Sequence, residues 1–318
     1  MATTTSTETL ADASVKPNPE ANRLLVVFCF GAIYLIWGST FLAIRYAVEN
    51  LPALYVVGFR HLCAGLILLV WALVKGARPT WGQIRASAVI GFLFFLVGHG
   101  TLHWAEKFVP SGLAALLIAV EPIFVFLMSS AAARVWRLNR MLAAGILIGL
   151  GGVGLLVRGS ALDGGSKPTI GVMAILVGAI SWAAGIIYSR RSKLSGSPLL
   201  LSALSLLSGA VMLFVVGTVF GEWKSFTLEH VGVRGWVSIG YLILFGSVIT
   251  FTAYNWLLEH FSPTLVATHT YVNPVVAVLL GWAFGGEALT TRVGVAAAMV
   301  IAAVVLVDRG TNRLRGLA

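Results

Sequence analysis

One carboxylate, Glu121, stands inside the helix-length apolar run VPSGLAALLIAVEPIFVFLM, Val109 to Met128, directly before Pro122. An acid in hydrocarbon is expensive to ionise and is kept there for a reason. The proline beside it has no N–H and frees the carbonyl of Ile118, so polar backbone and a titratable group are offered at the same depth. At about 1.5 Å per residue from Pro110, Glu121 lies roughly 16 Å deep, near the bilayer centre. The other acidic residues fall in the tail, in connections or close to helix ends, Glu106, Glu259 and Asp308 among them. Two readings of Glu121 stand side by side: a neutral carboxyl bonded to the open backbone, or a group that binds substrate and exchanges a proton. Moving 152 positions along brings up FSPTLVATHTYVNPVVAVLL, Phe261 to Leu280, with Asn273-Pro274 where the first stretch has Glu121-Pro122. His269 lies one turn before Asn273 on the same helical face and is a candidate to line a pore.

Further polar and aromatic side chains sit within apolar runs. Arg60 is the one cation well inside a span, about 10 Å in from the helix end at the helical rise, where a guanidinium needs an anion or carbonyls. It serves either a structural pairing or a substrate carboxylate. His99 and His103 share a face at i, i+4, but no third ligand accompanies them, so no metal is expected. Trp37 and Trp182 lie several residues inside their spans, deeper than interfacial anchors. With Tyr34, Tyr188 and Tyr271 they are the rings from which a substrate-sized aromatic cavity could be built. The expected site is therefore Tyr34, Trp37, Arg60, Glu121, Trp182, Tyr188, His269, Tyr271 and Asn273, beside helix breaks at Pro122 and Pro274. No cofactor is implied.

The elements that must hold these residues follow from composition. With 58% hydrophobic and 11% charged residues in 318 and a mean hydropathy of +0.92, the chain reads as an integral membrane protein of all-α class. Ten runs are long enough to span: 24–45, 53–74, 84–104, 110–133, 140–158, 168–189, 198–220, 234–256, 263–284 and 291–308. The offset of 152 that aligns the two prolines also aligns Trp104 with Trp256, Ala115 with Ala267, Val120 with Val272, Leu127 with Leu279 and Arg140 with Arg292. The chain is thus a duplication of five helices, and an odd number inverts the second copy, the plan of secondary transporters with a site at the midplane between repeats. The expected units are residues 24–158 and 168–308, a solvated Thr/Ser-rich tail over 1–23 and a basic tail over 309–318. Cys29 and Cys63, both in apolar runs, read as packing residues. Gly145 and Gly149, with Gly294 and Ala298 in the equivalent helix, allow close helix contact, read as internal packing before dimerisation. Monomer and homodimer both stay open.

The net charge of +10 comes from residues in short connections, which argues for membrane topology and against nucleic acid. Of the 22 Lys and Arg, fourteen fall on the amino-terminal side, seven on the other, and Arg60 lies within a span. The positive-inside rule then puts both termini in the cytoplasm. No short apolar segment behind a basic start marks a cleavable signal.

The segments IYLIWGSTFLAIRYAVE (Ile33 to Glu49), VVGFRHLCAGLILL (Val56 to Leu69), Ile180-Ser181-Trp182-Ala183 and YVNPVVAVLLGWAFGGEALT (Tyr271 to Thr290) resemble an EamA-family permease of the drug/metabolite transporter superfamily, closest in texture to its YedA-like branch. The resemblance runs over roughly residues 25 to 308. It implies a bacterial inner-membrane secondary transporter, an exporter of small metabolites such as amino acids or amphipathic compounds working by alternating access, with proton linkage left open. The second copy keeps the family's glutamate as Glu287, whereas the first has Val135. A nucleotide-sugar or phosphate-ester exchanger is the alternative within the class, but would call for several pore-facing cations. An intramembrane enzyme is the alternative outside it, and no His-Glu-x-x-His pair, paired carboxylates or nucleophile elbow supports one.

Overall fold

The structure is a computed structural model that describes residues 23–133, 138–163, 166–192, 196–225, 231–261 and 263–315. The expected tail over 1–22, Arg134, Val135, Arg137 and Lys193, and the last three residues lie outside the described residues. The chain is all-helical: α1 (Arg23–Val48), α2 (Ala53–Val74), α3 (Trp81–Ala105), α4 (Ser111–Ala132), α5 (Arg140–Arg158), α6 (Ser166–Arg191), α7 (Pro198–Val219), α8 (Val233–His260), α9 (His269–Phe284) and α10 (Thr291–Arg313). Among the described residues, nine are long and apolar enough to cross a membrane, and α9 is a shorter apolar helix. Ten apolar helices thus form two five-helix repeats, α1 to α5 and α6 to α10, and the odd count inserts them in opposite senses.

The two proline helices are broken differently. In α4 the helix pauses at Ala119 and Val120, then restarts with Glu121 in its first turn. The carboxylate there faces the positive end of a helix dipole. In the second repeat the pause falls one turn earlier on the duplicated frame, at Ala267 and Thr268, after a short turn Pro263–Val266. Pro274 then lies inside α9. The reason is in the side chains: Thr268 Oγ1 donates to Leu265 O, His269 Nδ1 to Val266 O at 2.9 Å and Thr270 Oγ1 to Ala267 O at 2.8 Å. These side chains bond the carbonyls of the pause on the spot, and Leu265 O and Ala267 O take the backbone N–H of Thr268 and Thr270 as well.

Helices pair across the repeats. The first helix of each leaves its own repeat: α1 packs on α8 and α9, α6 on α3 and α4. The seams α2–α7 and α5–α10 complete the bundle, and small residues make them close. A Cβ at Gly65 of α2 would sit 2.8 Å from Leu207 Cγ and 3.2 Å from Leu206 Cβ of α7, so these helices lie close. On the other seam a Cβ at Gly145 would meet Ala303 O at 3.0 Å and Val307 Cγ2 at 2.9 Å. Gly145 and Gly149 are thus used within the chain. Leucine at Gly145 has no room beside a backbone oxygen, and overpacking of this kind costs about 1–3 kcal/mol. Gly145→Leu is expected to melt below the parent in detergent, whereas the same change at Gly154, whose Cβ would meet nothing within 4 Å, is expected not to.

Candidate functional site

Three helices contain wide, π-helical turns: Ala32–Ile36 in α1, Gly91–His99 in α3 and Leu244–Ile249 in α8. The segments in α3 and α8 coincide on the duplicated frame. Such turns loosen backbone carbonyls and recur at functional sites. Here each is stabilised by a side chain from the other repeat. Ser181 of α6 donates to Leu93 O at 2.8 Å, and Trp37 Nε1 of α1 donates to Gly246 O at 3.1 Å. With its amide nitrogen turned toward α1, Asn273 reaches Ile33 O and Tyr34 O, each at 3.0 Å, and His269 O at 3.2 Å. Asn273 thereby ties the break in α9 to the wide turn in α1, which Gly38 brings close, a Cβ there meeting Val276 at 2.6 Å.

Around this junction the expected residues gather. The Trp37 ring centroid lies 5.1 Å from His269, 5.3 Å from Tyr254 and 5.6 Å from Phe251. Tyr254 is also edge-on to His269 at 5.8 Å. Tyr34 Oη shares a 2.6 Å hydrogen bond with Thr268 Oγ1 at the pause itself. Glu121, half-buried, is within electrostatic reach of Tyr254 and of Arg190 near the end of α6. Tyr34, Trp37, His269 and Asn273 therefore come together, and Glu121 reaches them through Tyr254; Pro122 follows Glu121 and Pro274 follows Asn273 in the two broken helices. Tyr254, Thr268 and Arg190 are additions. Nothing in the sequence marks Tyr254, whose counterpart on the frame is Leu102, and Arg190 reads there only as a topology charge.

The remaining candidates lie elsewhere. Arg60 is buried, donates through Nε to Ser247 Oγ at 2.9 Å, and has Glu106 as its acidic neighbour. Trp182 stacks on Phe94 at 4.5 Å and tilts against His99 at 4.9 Å. On the frame His99 matches Phe251, and each lies against a tryptophan from the first helix of the other repeat, Trp182 and Trp37. Tyr188 is half-buried two positions before Arg190. Tyr271 turns to α10, where Asp308 takes its hydroxyl hydrogen, because the rotation of a broken helix does not follow from spacing alone. Among the described residues no group of three or more His, Cys, Asp or Glu side chains is arranged to hold a metal ion.

At the end of the bundle opposite the start of α1, two carboxylates from the second repeat cap helices of the first. Glu287, after α9, accepts Ser111 N–H at 2.6 Å, Ser111 Oγ–H at 2.7 Å and Gly112 N–H at 3.0 Å, and pairs with Arg45 of α1. Glu222, after α7, accepts the N–H groups of Leu54 at 2.9 Å and Tyr55 at 3.3 Å, opening α2. Burial pushes the Glu222 carboxyl up, against those donors and Lys107. Anions at helix starts are favourable.

The EamA-like transporter family matches residues 24–158 and 169–308, one match per repeat. The inner membrane transporter YedA of Escherichia coli (strain K12) is 39% identical over 283 residues, covering 88% of this chain and 89% of that protein. The transporter YoaV of Bacillus subtilis (strain 168) is 24% identical over 276 residues, covering 85% of this chain and 91% of its own. A solved crystal structure superposes with a TM-score of 0.62 at 20% identity, over 92% of this chain and 99% of that one, and shares the fold. A duplicated five-helix plan, a break in each proline helix one turn apart on the duplicated frame and family matches to both halves lead to one conclusion: this membrane protein belongs to the EamA-like transporter family.

Proposed function

We propose that the protein is an inner-membrane secondary transporter that exports small metabolites of amino-acid or amphipathic-drug size by alternating access, with its termini in the cytoplasm and Glu121 exchanging a proton during the cycle. The observation that carries this reading is that Glu121 lies within electrostatic reach of Tyr254, whose ring packs against Trp37 and His269 where α1 meets α8 and the broken helix α9. A carboxylate next to aromatic walls suits an ammonium group attached to an apolar body: the acid and the ring faces both attract the cation, and the rings accept the rest. The inner membrane is where the relative YedA is named to act, and the distribution of basic residues favours cytoplasmic termini. The end capped by Glu287 and Glu222 then faces the periplasm. Export of phosphate esters fits less well, because Arg60 is occupied by Ser247 and Arg190 is the one cation in reach of Glu121.

Overproduction in a sensitive host, challenged with toxic amino-acid analogues and cationic drugs, tests the substrate class. Resistance to at least one such compound, lost with Glu121→Gln, is expected; an unchanged spectrum on overproduction overturns the reading. Trp37→Ala removes three ring contacts and the donor to Gly246 O. It is expected to shift the resistance spectrum toward other side-chain sizes while the protein still reaches the membrane, whereas Tyr271→Ala, whose hydroxyl serves Asp308, is expected to leave the spectrum as it was.

A further inference from the structure

A second polar cluster lies apart from Glu121. Glu106, His103 and His99 occupy one face of α3 at i+7, i+4 and i, running inward from its end. His61 of α2 closes the row, its Nε2 lying 3.0 Å from His99 Nδ1, with the rings stacked at 5.0 Å. His103 Nδ1 donates to His99 O at 2.8 Å, which makes its Nε2 the bare acceptor. That nitrogen is buried and unpartnered, as are His61 Nδ1 and both carboxyl oxygens of Glu106. Glu106 is only 3% exposed and His61 and His103 are fully buried.

Buried polar side chains nearly always find partners, and each one left open costs about 1–3 kcal/mol. Four open atoms in a single row therefore call for an occupant. Charge and chemistry say what it is. The donors and acceptors alternate between imidazole nitrogens and a carboxyl group, the composition of a proton path, and among the described residues no three such groups are arranged to hold a metal ion. The charged groups that face the row are Arg60 of α2 beside the histidines, and Arg45 of α1 with Glu287 of the α9–α10 connection beside Glu106. Trp182 of α6 covers His99, and Ser247 of α8 accepts from Arg60 Nε at 2.9 Å.

We propose that Glu106, His103, His99 and His61 form a second proton-binding site, a ladder that takes protons from the Glu287 end of the bundle and is coupled to the Arg45–Glu287 pair. The coupling follows from the geometry. Burial first, and then the Glu287 carboxylate, hold the Glu106 carboxyl well above the usual range, against Arg45 and Arg60. Ser111, on which Glu287 sits, follows Glu106 directly through the connection 107–110, so a seated Glu287 favours the proton on Glu106 and its departure favours release to the ladder or to water. By linkage, a proton on Glu106 favours the seated pair to the same degree. Repeat two carries no such row, since Phe251 and Asn255 stand where His99 and His103 do on the duplicated frame.

The site is tested without a substrate. The full chain, carrying Glu121→Gln so that Glu121 cannot titrate, is placed in liposomes on a solid support, and charge displacement is recorded after a pH jump. A displacement is expected, and adding Glu106→Gln with His103→Gln is expected to reduce it to the level of protein-free liposomes. Gly281→Ala, whose Cβ would stand 2.4 Å from Glu287 Oε2 and push that carboxylate off its seat, is expected to move the midpoint of the displacement to lower pH. No displacement in the Glu121→Gln protein, or one that survives the added pair, overturns the proposal. So does a displacement unchanged in His99→Phe, the residue found at the equivalent place in repeat two, which is read in parallel should the double variant fail to assemble. The reading of Glu121 falls on a different result, wild-type accumulation driven by a pH gradient in Glu121→Gln, so the two are separable.

Discussion

Glu287→Ala is expected to produce the largest loss of stability of any single side-chain truncation at the Glu287 end of the bundle. The side chain is 8% exposed, and its carboxylate holds two backbone N–H groups, one hydroxyl and one guanidinium. Alanine leaves those donors open together. Each buried donor left without its acceptor costs about 1–3 kcal/mol. Arg45, by contrast, is 36% exposed, and Arg45→Ala leaves Glu287 still bonded to Ser111 and Gly112. Its cost is expected near the roughly 1 kcal/mol of an exposed pair. Gly281→Ala supplies an independent arm, since a Cβ there would stand 2.4 Å from Glu287 Oε2 and would push the carboxylate off its seat. Thermal unfolding of the purified proteins should rank Glu287→Ala and Gly281→Ala well below Arg45→Ala. A Glu287→Ala protein that melts with the parent would show that the carboxylate contributes no cap.

Glu121→Gln is expected to abolish accumulation driven by a pH gradient while leaving exchange of substrate across the membrane measurable. Glutamine keeps the size and the hydrogen bonding of a protonated carboxyl, so the start of the second half of α4 and the aromatic contacts of Trp37, Tyr254 and His269 should survive. What is lost is the ionised state. A transporter that exchanges one proton for one substrate needs both states, because the substrate's ammonium group favours the anion from one side and the proton restores neutrality for the return. Exchange without net proton movement needs only the bound form. Wild-type dependence on the gradient in Glu121→Gln would make Glu121 a helix-start carboxyl beside a proline, favoured there by the helix dipole alone.

Spacing carried much of the architecture. The offset joining Pro122 to Pro274 and Trp104 to Trp256 gave the duplication, and hydropathy gave the ten helices, because both are properties of the chain's axial register. Rotation about each axis is a different quantity. A count along the helix put Tyr271 beside Asn273 at the site, whereas the pause at Ala267 and Thr268 turns its hydroxyl toward Asp308. Axial depth likewise left Glu106 among ordinary helix-end acids, although it is buried and within electrostatic reach of Arg60. The wide turns had no signature either. They depend on donors such as Ser181 and Trp37 that come from the opposite repeat, and local sequence does not contain its partners.

The caps on α2 and α4 carry a consequence for the order in which the chain is made. Glu222 lies 168 residues after Leu54, and Glu287 lies 176 residues after Ser111. At synthesis rates of about 5–20 residues per second, the starts of both helices wait roughly 10 to 35 s for their carboxylates after they leave the ribosome. During that interval repeat one is an intermediate whose open N–H groups must be met by water or lipid headgroups at the membrane surface. It is finished only by loops of a repeat that does not yet exist. Each half is therefore a template for the other rather than a module that folds and then docks, and the last connection to be synthesised, between α9 and α10, locks in place helices inserted near the beginning.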